Sequence, residues 1–293
     1  MHLETKISRC LSKVEKLMLE LCNPGRAENN LCYQAVVRHL SAGGNRLRAR
    51  VALESGLSLG LSRQDCVCLA AACELLHNAS LVQDDYFDKE ESRRGTPSIW
   101  KAFTPSVAIC CGDLMVSAAY ASVALVNRPE LLAELIHLMH RRTAAVIISQ
   151  PSEQAAASGG LGLREYEELA AAKSGELLAL PLQLPLLLAG HQQELSKAKT
   201  LASSFAIAYQ ICDDLQDFEQ DTLSGCLNVV RVLMHAGRTQ EQAEFEARVR
   251  ADSWLQCALD EIATLPCQCS LTLGRHANAL LGWLGRPAFQ EVA

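Results

Sequence analysis

Two short acidic motifs are the residues whose types and spacing could carry chemistry. Residues 84–88 read D-D-Y-F-D and residues 213–217 read D-D-L-Q-D, so both fit the pattern D-D-x-x-D. Each motif ends a long apolar stretch, and on a helix its first and last aspartates would share one face. Like charges at that spacing cost about 0.2–0.5 kcal/mol per pair. A hard divalent cation such as Mg²⁺ removes this repulsion and bridges carboxylates to substrate phosphates, so the doubled motif predicts metal sites.

Basic residues nearby supply the opposite charge. Arg93 and Arg94 follow the first acidic motif, Arg46 and Arg48 follow a pair of glycines, and Lys173 lies in a nearly uncharged stretch. Guanidinium groups suit phosphate oxygens, and a helix that begins after the glycines would add backbone N–H donors. Metals and cations together indicate a polyanion site, with a diphosphate held above an apolar cavity.

Helices are the elements that must position these residues. Apolar residues make up 49% of the 293 residues, alanine and leucine dominate, and strand-like alternation is hard to find. Apolar periodicity predicts helices over residues 3–21, 31–40, 49–59, 65–88, 108–126, 129–148, 164–188 and 195–217, and a polar surface helix over 237–251. Several helices are apolar on more than one face, which is typical of the centre of a large bundle. Because neither a repeat nor a linker divides the chain, one all-α domain is predicted over residues 1–293.

Charge and composition exclude several classes of protein. The 27 Lys and Arg against 33 Asp and Glu give a net charge of −6. The protein therefore has no overall positive charge that would attract nucleic acid. The most apolar stretch, residues 177–189, contains two prolines and is shorter than the roughly 20 residues of a membrane-spanning helix. The 13 cysteines lack metal-site spacing, which is typical of small buried side chains in a reducing compartment. We therefore expect a cytoplasmic protein without a membrane span or a nucleic-acid partner.

Ordered motifs from about residue 40 to residue 221 resemble those of the polyprenyl diphosphate synthases, the all-trans isoprenyl chain-elongating enzymes. The matching segments are residues 43–48 (GGNRLR), 74–84 (ELLHNASLVQD), 93–95 (RRG), 108–113 (AICCGD), Gln150 with Glu153, Lys173 with Ser174, and 209–214 (YQICDD). Each segment alone is weak, but their order and spacing make the resemblance specific.

The resemblance implies a fold and a reaction. The fold is an all-α helical bundle of the isoprenoid-synthase type with a central apolar cavity, usually a homodimer. Three Mg²⁺ ions between the two acidic motifs would pull diphosphate from an allylic prenyl diphosphate. The double bond of isopentenyl diphosphate would then attack the carbocation, and a proton would be lost. Residues 237–293 match the family weakly.

The resemblance also implies roles for individual residues. The implied metal ligands are Asp84, Asp85, Asp88, Asp213 and Asp217. Asp214 would be a further ligand or would support the ligands, and it joins the implied catalytic set with Lys173. Residues implied to bind substrate are Arg93, Lys173 and Gln210 for the allylic diphosphate, Arg46, Arg94 and His77 for isopentenyl diphosphate, and Ser174 and Gln150 alongside them.

Departures from the family pattern keep two other functions open. Asn45 stands where the family has lysine, Ser149 replaces a glycine, and residues 222–228 lack the usual Gly-Lys pair. A lyase that ionises a prenyl diphosphate without isopentenyl diphosphate would need fewer of these cations. A non-catalytic subunit of a heteromeric synthase is the other alternative, but it would have no physical need for two costly acidic motifs.

Product length depends on the helix that carries the first motif. In this family the cavity floor lies one turn before that motif, where this chain has Ala79 and Ser80. Both side chains are small, and a bulky aromatic side chain there would close the cavity early. We therefore expect a product of fifteen carbons or more.

Overall fold

The chain folds almost entirely into helices. The computed structural model describes residues 3–25, 29–156 and 161–285, and it is 81% helical, so the predicted all-α class is confirmed. Two compact units form, one from residues 1–139 and 180–191 and the other from residues 140–179 and 192–293. The prediction of one domain over residues 1–293 and that of a central apolar cavity stay predictions.

The first unit contains the first acidic motif. Its elements are α1 (Leu3–Leu21), α2 (Leu31–Ser41), α3 (Leu47–Ser58), α4 (Arg63–Phe87), β1 (Ser92–Arg93), β2 (Thr96–Pro97), α5 (Ile99–Ala102) and α6 (Pro105–Val123). The chain passes between the units within α7 (Leu132–Ala156) and α9 (Glu176–Leu188).

Helix α4 is the core of the first unit, and it packs against α1, α3 and α6. The Ser62 hydroxyl caps its N-terminus by accepting from the Asp65 N–H at 3.1 Å. Nearly all of its side chains from Asp65 to Ala79 are buried, because α4 has neighbours on several sides. Helix α1 buries only one stripe, Ile7, Cys10, Val14 and Met18, as its predicted amphipathic pattern requires.

The second unit contains the second acidic motif. Its elements are α8 (Leu163–Ala170), a π-helical turn (Ala171–Gly175), α10 (Leu195–Gln216), α11 (Phe218–Ser224), α12 (Val229–His235), α13 (Gln240–Thr264) and α14 (Leu271–Leu284). Helix α10 is central here and packs against α13, α12, α14 and the π-helical turn.

Two predicted elements need correction. The helix predicted over residues 237–251 is α13, which begins at Gln240 and continues beyond the predicted end to Thr264; its outer face is exposed as predicted, while Ala243, Ala247 and Ala251 are buried. Alanine at every fourth position makes a narrow apolar seam that a polarity pattern underestimates. The single helix predicted over residues 164–188 is interrupted by the π-helical turn, where the hydrogen-bond ladder changes register.

A small hairpin between α4 and α5 lacks any alternating pattern in the sequence. Strands β1 and β2 pair antiparallel, with Arg93 opposite Thr96. Both turn residues have positive φ, 53° at Arg94 and 73° at Gly95, as a two-residue type I′ turn requires. The turn fixes the direction of Arg94 relative to Arg93.

Two described helices, Arg63–Phe87 and Pro105–Val123, are long and apolar enough to cross a membrane. The most apolar window of α4 is 83% buried inside the protein, which is the position of a core helix, and that of α6 is 44% buried. Length and composition in one or two helices are weak grounds for a membrane span.

Candidate active site

The first acidic motif lies at the C-terminal end of α4. Asp84 is half-buried in the last turn, and the exposed Asp88 ends the helix by donating its N–H to the Asp84 carbonyl at 2.8 Å. A helix C-terminus carries partial negative charge, so the helix itself opposes these carboxylates. Their charge therefore favours a bound cation.

Asp85 differs from the other two aspartates because it is buried, at 1% exposed. Its Oδ1 accepts from the Arg93 Nε at 2.6 Å, whereas its Oδ2 is buried without a hydrogen-bond partner. Burial raises the pKa of this carboxyl, and the bond from Arg93 opposes that rise. A buried oxygen with no donor is open to a cation or to a bridging water.

Arg94 is placed by the hairpin against the glycine pair that precedes α3. Its Nη1 donates to the Gly43 carbonyl, and its guanidinium occupies the space that a side chain at Gly44 would fill. A Cβ at Gly44 would lie 2.7 Å from the Arg94 Cζ, and φ there is 121°. The pKa of Arg94 is lowered by partial burial and by Arg46 and Arg93, so these cations repel one another and together favour an anion.

Arg46 is held by the protein itself. Its backbone is left-handed, with φ of 49°, at the start of α3. Its guanidinium donates to the carbonyls of Leu40 at 2.5 Å and Gly43 at 3.1 Å, and to Glu15 at 3.2 Å. These contacts shape the turn before α3, and the implied contact of Arg46 with isopentenyl diphosphate stays a prediction.

A buried polar network lies beneath this turn. The Glu74 Oε2 accepts from the first-turn N–H of Ala49 at 3.0 Å, and the Asn78 Nδ2 donates to the Glu74 Oε1 at 3.2 Å. The Asn78 Oδ1 lies 3.1 Å from the His39 Nε2. Burial and the nearby arginines lower the pKa of His39 to about 4. The same two causes lower the pKa of His77 well below its usual range.

The two chain-length positions lie one turn before the motif. Ala79 is buried, and Ser80 is half-buried with its hydroxyl donating to the His77 carbonyl at 2.9 Å. Both stay predictions as determinants of product length.

In the second unit, Asp213 and Asp217 lie exposed at the C-terminal end of α10. Although Asp213 is exposed, partial desolvation by the neighbouring protein raises its pKa, and the nearby carboxylates of Asp217 and Asp221 add to the rise. Asp221, which is not among the predicted residues, adds a further carboxylate near this motif. Its spacing of four residues from Asp217 was the available signal.

Asp214 is buried, at 2% exposed, and is surrounded by donors from three elements. Its carboxylate accepts from the Gln210 Nε2 at 2.8 Å, the Tyr166 hydroxyl at 2.8 Å and the Val229 N–H at 2.6 Å. Burial raises its pKa to about 7, although these bonds oppose the rise. Asp214 therefore joins α8, α10 and α12 at the position next to Asp213. Gln210, implied to face the allylic diphosphate, supports this carboxylate here.

Asn228 and the pair Glu167–Arg250 extend this network, and no sequence pattern predicts either contact. Asn228 is fully buried, and its Nδ2 donates to the Asp214 carbonyl at 2.7 Å and to the Asp221 Oδ2 at 2.9 Å. Beside Tyr166, Glu167 accepts from Arg250 Nε at 2.5 Å and Nη2 at 2.9 Å. This ion pair attaches α8 to α13.

The remaining predicted substrate residues are also in the second unit. Lys173 and Ser174 are half-buried within the π-helical turn, where Gly175 lies against Ser203 of α10. Turns of this kind occur often at functional sites. Gln150 is half-buried in α7, and the side chain of Glu153 lies outside the described residues.

The donors at both motifs fit a hard divalent cation. They are carboxylate oxygens, with one buried oxygen of Asp85 left without a partner. Across residues 3–25, 29–156 and 161–285, no three His, Cys, Asp or Glu side chains form a ready-made metal cage. Mg²⁺ seldom needs such a cage, because it keeps several waters and binds through one or two carboxylates plus substrate phosphates.

Comparisons with known sequences point to one family. The sequence model described as polyprenyl synthetase matches residues 29–224. A geranylgeranyl pyrophosphate synthase from Geoglobus acetivorans is 29% identical over 208 residues, which is 70% of this chain but 63% of that protein. A farnesyl diphosphate synthase from Bacillus subtilis is 28% identical over 197 residues, 64% of this chain and 66% of the relative. The chain thus spans less than two thirds of either relative.

Solved structures show the same fold. The geranylgeranyl pyrophosphate synthetase of Geoglobus acetivorans superimposes with a TM-score of 0.83 at 23% identity, covering 98% of this chain and 100% of that one. A decaprenyl diphosphate synthase from Rhodobacter capsulatus gives 0.83 at 18% identity, covering 97% and 99%. The structural likeness confirms the predicted isoprenoid-synthase fold, and the match over residues 29–224 shows that the chain belongs to the polyprenyl synthetase family.

Proposed function

We propose that this protein is a trans-prenyltransferase that condenses an allylic prenyl diphosphate with isopentenyl diphosphate. One observation carries the proposal: both acidic motifs divide their aspartates in the same way. Asp85 and Asp214 are buried and bonded to protein donors, whereas Asp88, Asp213 and Asp217 are exposed. Solvated helix ends would have no reason to repeat this arrangement.

The exposed and half-buried carboxylates are the proposed metal ligands. Asp84 and Asp88 would hold Mg²⁺ at the first motif, with the free oxygen of Asp85 behind them. Asp213 and Asp217 would hold it at the second. The family resemblance suggests three ions in all. Bound Mg²⁺ would neutralise the charge that develops on a leaving diphosphate.

Basic and polar side chains would also stabilise the negative charge of the diphosphate groups. We propose Arg93, Lys173, Gln210 and Gln150 for the allylic diphosphate, and Arg94, Arg46 and His77 for isopentenyl diphosphate. As the allylic C–O bond breaks, its electron pair leaves on the diphosphate, where fixed cations stabilise it. The isopentenyl double bond then forms the new C–C bond and a proton leaves, while the apolar surroundings exclude water.

Asn45 favours a second candidate, a lyase that uses the prenyl diphosphate alone. Asn45 is exposed directly before Arg46, where the family pattern has a cation. Residues 222–228, which follow the second motif, contain no lysine. A weaker pocket for the second diphosphate would leave ionisation intact and remove condensation.

A product assay separates the two functions. The purified protein with Mg²⁺ would be given dimethylallyl, geranyl or farnesyl diphosphate, each with and without isopentenyl diphosphate, and the products identified by mass spectrometry. A prenyltransferase makes longer prenyl diphosphates only with isopentenyl diphosphate. Hydrocarbons or alcohols formed without it would establish the lyase. No turnover under any condition would favour the non-catalytic subunit.

The cytoplasmic location and the homodimer belong to the same proposal. The homodimer is supported by the family resemblance, and the cytoplasmic location by the cysteine pattern of the sequence. Sedimentation of the purified protein over a range of concentrations would test the dimer.

A further inference from the structure

Lys89 directly follows the first acidic motif, and its side chain is held by two aromatic rings. Its ammonium lies 4.1 Å from the ring centroid of Tyr86 and 5.7 Å from that of Trp100. Its backbone is left-handed, with φ of 59°, a conformation that a lysine adopts only at a cost. Although Lys89 is exposed, the surrounding structure therefore fixes its position.

Contacts from the start of α5 keep the second ring beside this lysine. The Trp100 Nε1 donates to the Glu90 carbonyl at 2.8 Å. The Ser98 N–H, directly before α5, donates to the Glu91 carbonyl at 3.0 Å. The loop between α4 and β1 is thus attached to α5 at two points, and the ring of Trp100 stays next to Lys89.

The ring of Tyr86 lies on the other side of α4 from the proposed metal ligands. Tyr86 is two residues from Asp84 and two from Asp88, and residues two apart on a helix do not face each other. An ammonium above this ring is therefore directed away from both carboxylates. Among the described residues, Lys89 forms no ion pair.

Without the two rings, the lysine side chain is long enough to reach the motif. Asp88 is exposed and adjacent to Lys89 in sequence. An ammonium paired with Asp88 would neutralise a proposed Mg²⁺ ligand and would repel the metal ion itself. An exposed cation–π contact and an exposed ion pair are similar in strength, so two rings are enough to hold the lysine away from the carboxylate.

We propose that Tyr86 and Trp100 keep Lys89 away from the first acidic motif and thereby preserve the affinity of that motif for Mg²⁺. Both aromatic residues are positioning residues, because they act on the metal site only through Lys89. The inference rests on the proposed function, in which Asp84 and Asp88 hold Mg²⁺. It gives a task to the tyrosine that stands between the aspartates of the motif.

Metal binding in the absence of turnover tests the proposal. Mn²⁺ and inorganic diphosphate would be added to the full-length protein, and free Mn²⁺ would be measured by electron paramagnetic resonance. In Tyr86→Leu we expect the Mn²⁺ concentration at half-saturation to rise about threefold, the size expected for one exposed ion pair. Tyr86→Phe keeps the ring and should bind Mn²⁺ as the wild type does.

The double variant Tyr86→Leu with Lys89→Gln separates the proposal from a simple loosening of the loop. Without the ammonium, loss of the ring should no longer weaken Mn²⁺ binding. Phe87→Leu is the matched control, since this neighbouring ring is exposed and is not one of the two that contact Lys89. If Tyr86→Leu does not fold, Trp100→Leu removes the second ring and should shift half-saturation in the same direction.

Two results would overturn the proposal. One is an unchanged half-saturation in folded Tyr86→Leu or Trp100→Leu, and the other is a shift that persists in the double variant. Asp84→Asn separates these results from a failure of the metal assignment. Equal Mn²⁺ binding by Asp84→Asn and the wild type, or no binding by the wild type, would overturn the metal assignment and this inference with it.

Discussion

At the scale of residues, each acidic motif contains aspartates with different tasks. The middle residues, Asp85 and Asp214, are buried and accept hydrogen bonds from the protein. Their neighbours lie at the helix ends, where the dipole and like charges oppose them. The motif is thus a structural anchor combined with proposed cation ligands, and substitutions should separate the two tasks.

Asp84→Asn and Asp213→Asn should each lower turnover by at least about 100-fold, because each removes a charge that would hold Mg²⁺. Their melting temperatures should stay near that of the wild type, since neither side chain is fully buried. Glu219→Gln, an exposed carboxylate next to the second motif, is the matched control and should keep its activity. Near-normal turnover in both aspartate variants would contradict the metal assignment.

His39 should make stability depend on pH. Its pKa is held at about 4 instead of 6.5, so the unfolded chain binds the proton first as pH falls. The contribution is complete above pH 6.5 and is lost between pH 6.5 and 4, by about 3 kcal/mol. The half-buried His77 acts in the same direction.

Denaturant unfolding at several pH values would check this prediction. In His39→Gln the free energy of unfolding should fall less steeply over that pH window, because glutamine keeps a donor for Asn78 but does not titrate. An unchanged slope would show that His39 is already charged in the folded protein.

At the scale of elements, turns and contacts between helices bring together side chains that lie on different helices. The type I′ turn of the hairpin positions Arg94, and the glycine pair before α3 leaves room for its guanidinium. In the second unit, α8 contributes Tyr166 to Asp214, and the Glu167–Arg250 pair attaches α8 to α13.

Gly44→Ala should displace Arg94, because the new Cβ would lie 2.7 Å from its Cζ. We expect a KM for isopentenyl diphosphate raised about tenfold, the size expected for one charge-assisted hydrogen bond. Gly43→Ala is the matched control. Its φ of 92° would strain an alanine backbone in a similar way, but no atom lies within 4 Å of the added Cβ. Equal effects in steady-state kinetics of the two variants would assign the loss to the backbone and not to Arg94.

Arg250→Lys should loosen α8, because lysine cannot reproduce the two bonds of the guanidinium to Glu167. We expect a loss of about 1 kcal/mol in the free energy of unfolding and a higher Mg²⁺ concentration for half-maximal activity. Arg164→Lys changes an exposed pair on the same helix and should cost less than about 0.5 kcal/mol. Identical Mg²⁺ curves for wild type and Arg250→Lys would show that α8 does not position Asp214.

At the scale of the whole molecule, each compact unit contains one acidic motif and its own supporting contacts. The first unit supplies the arginine cluster, and the second supplies Lys173 and the donors to Asp214. The residues proposed for condensation are thus divided between the two units, and the space before the first motif is the proposed determinant of product length.

Ala79→Phe should shorten the product by at least one five-carbon unit, because the buried methyl group is replaced by a ring. Chain length would be read by mass spectrometry of the products. Ala79→Ser keeps the side chain small and should leave the product unchanged. If Ala79→Phe fails to fold, the half-buried Ser80 offers Ser80→Phe as a second test. An unchanged product in a folded variant would place the cavity floor elsewhere.

The sequence by itself determined the helical class, most helix bounds and the two acidic motifs. Periodicity and residue spacing act over one or two turns, and both are visible in one dimension. Only the tertiary structure decided which aspartate of each motif is buried, and it revealed Tyr166 and Asn228 as donors to Asp214 and Arg250 as the partner of Glu167. It also showed that the polar helix predicted over residues 237–251 extends to Thr264 and buries a seam of alanines. Burial and hydrogen bonding depend on contacts between residues that are distant in sequence, such as Arg250 and Glu167. A local sequence pattern does not predict such contacts.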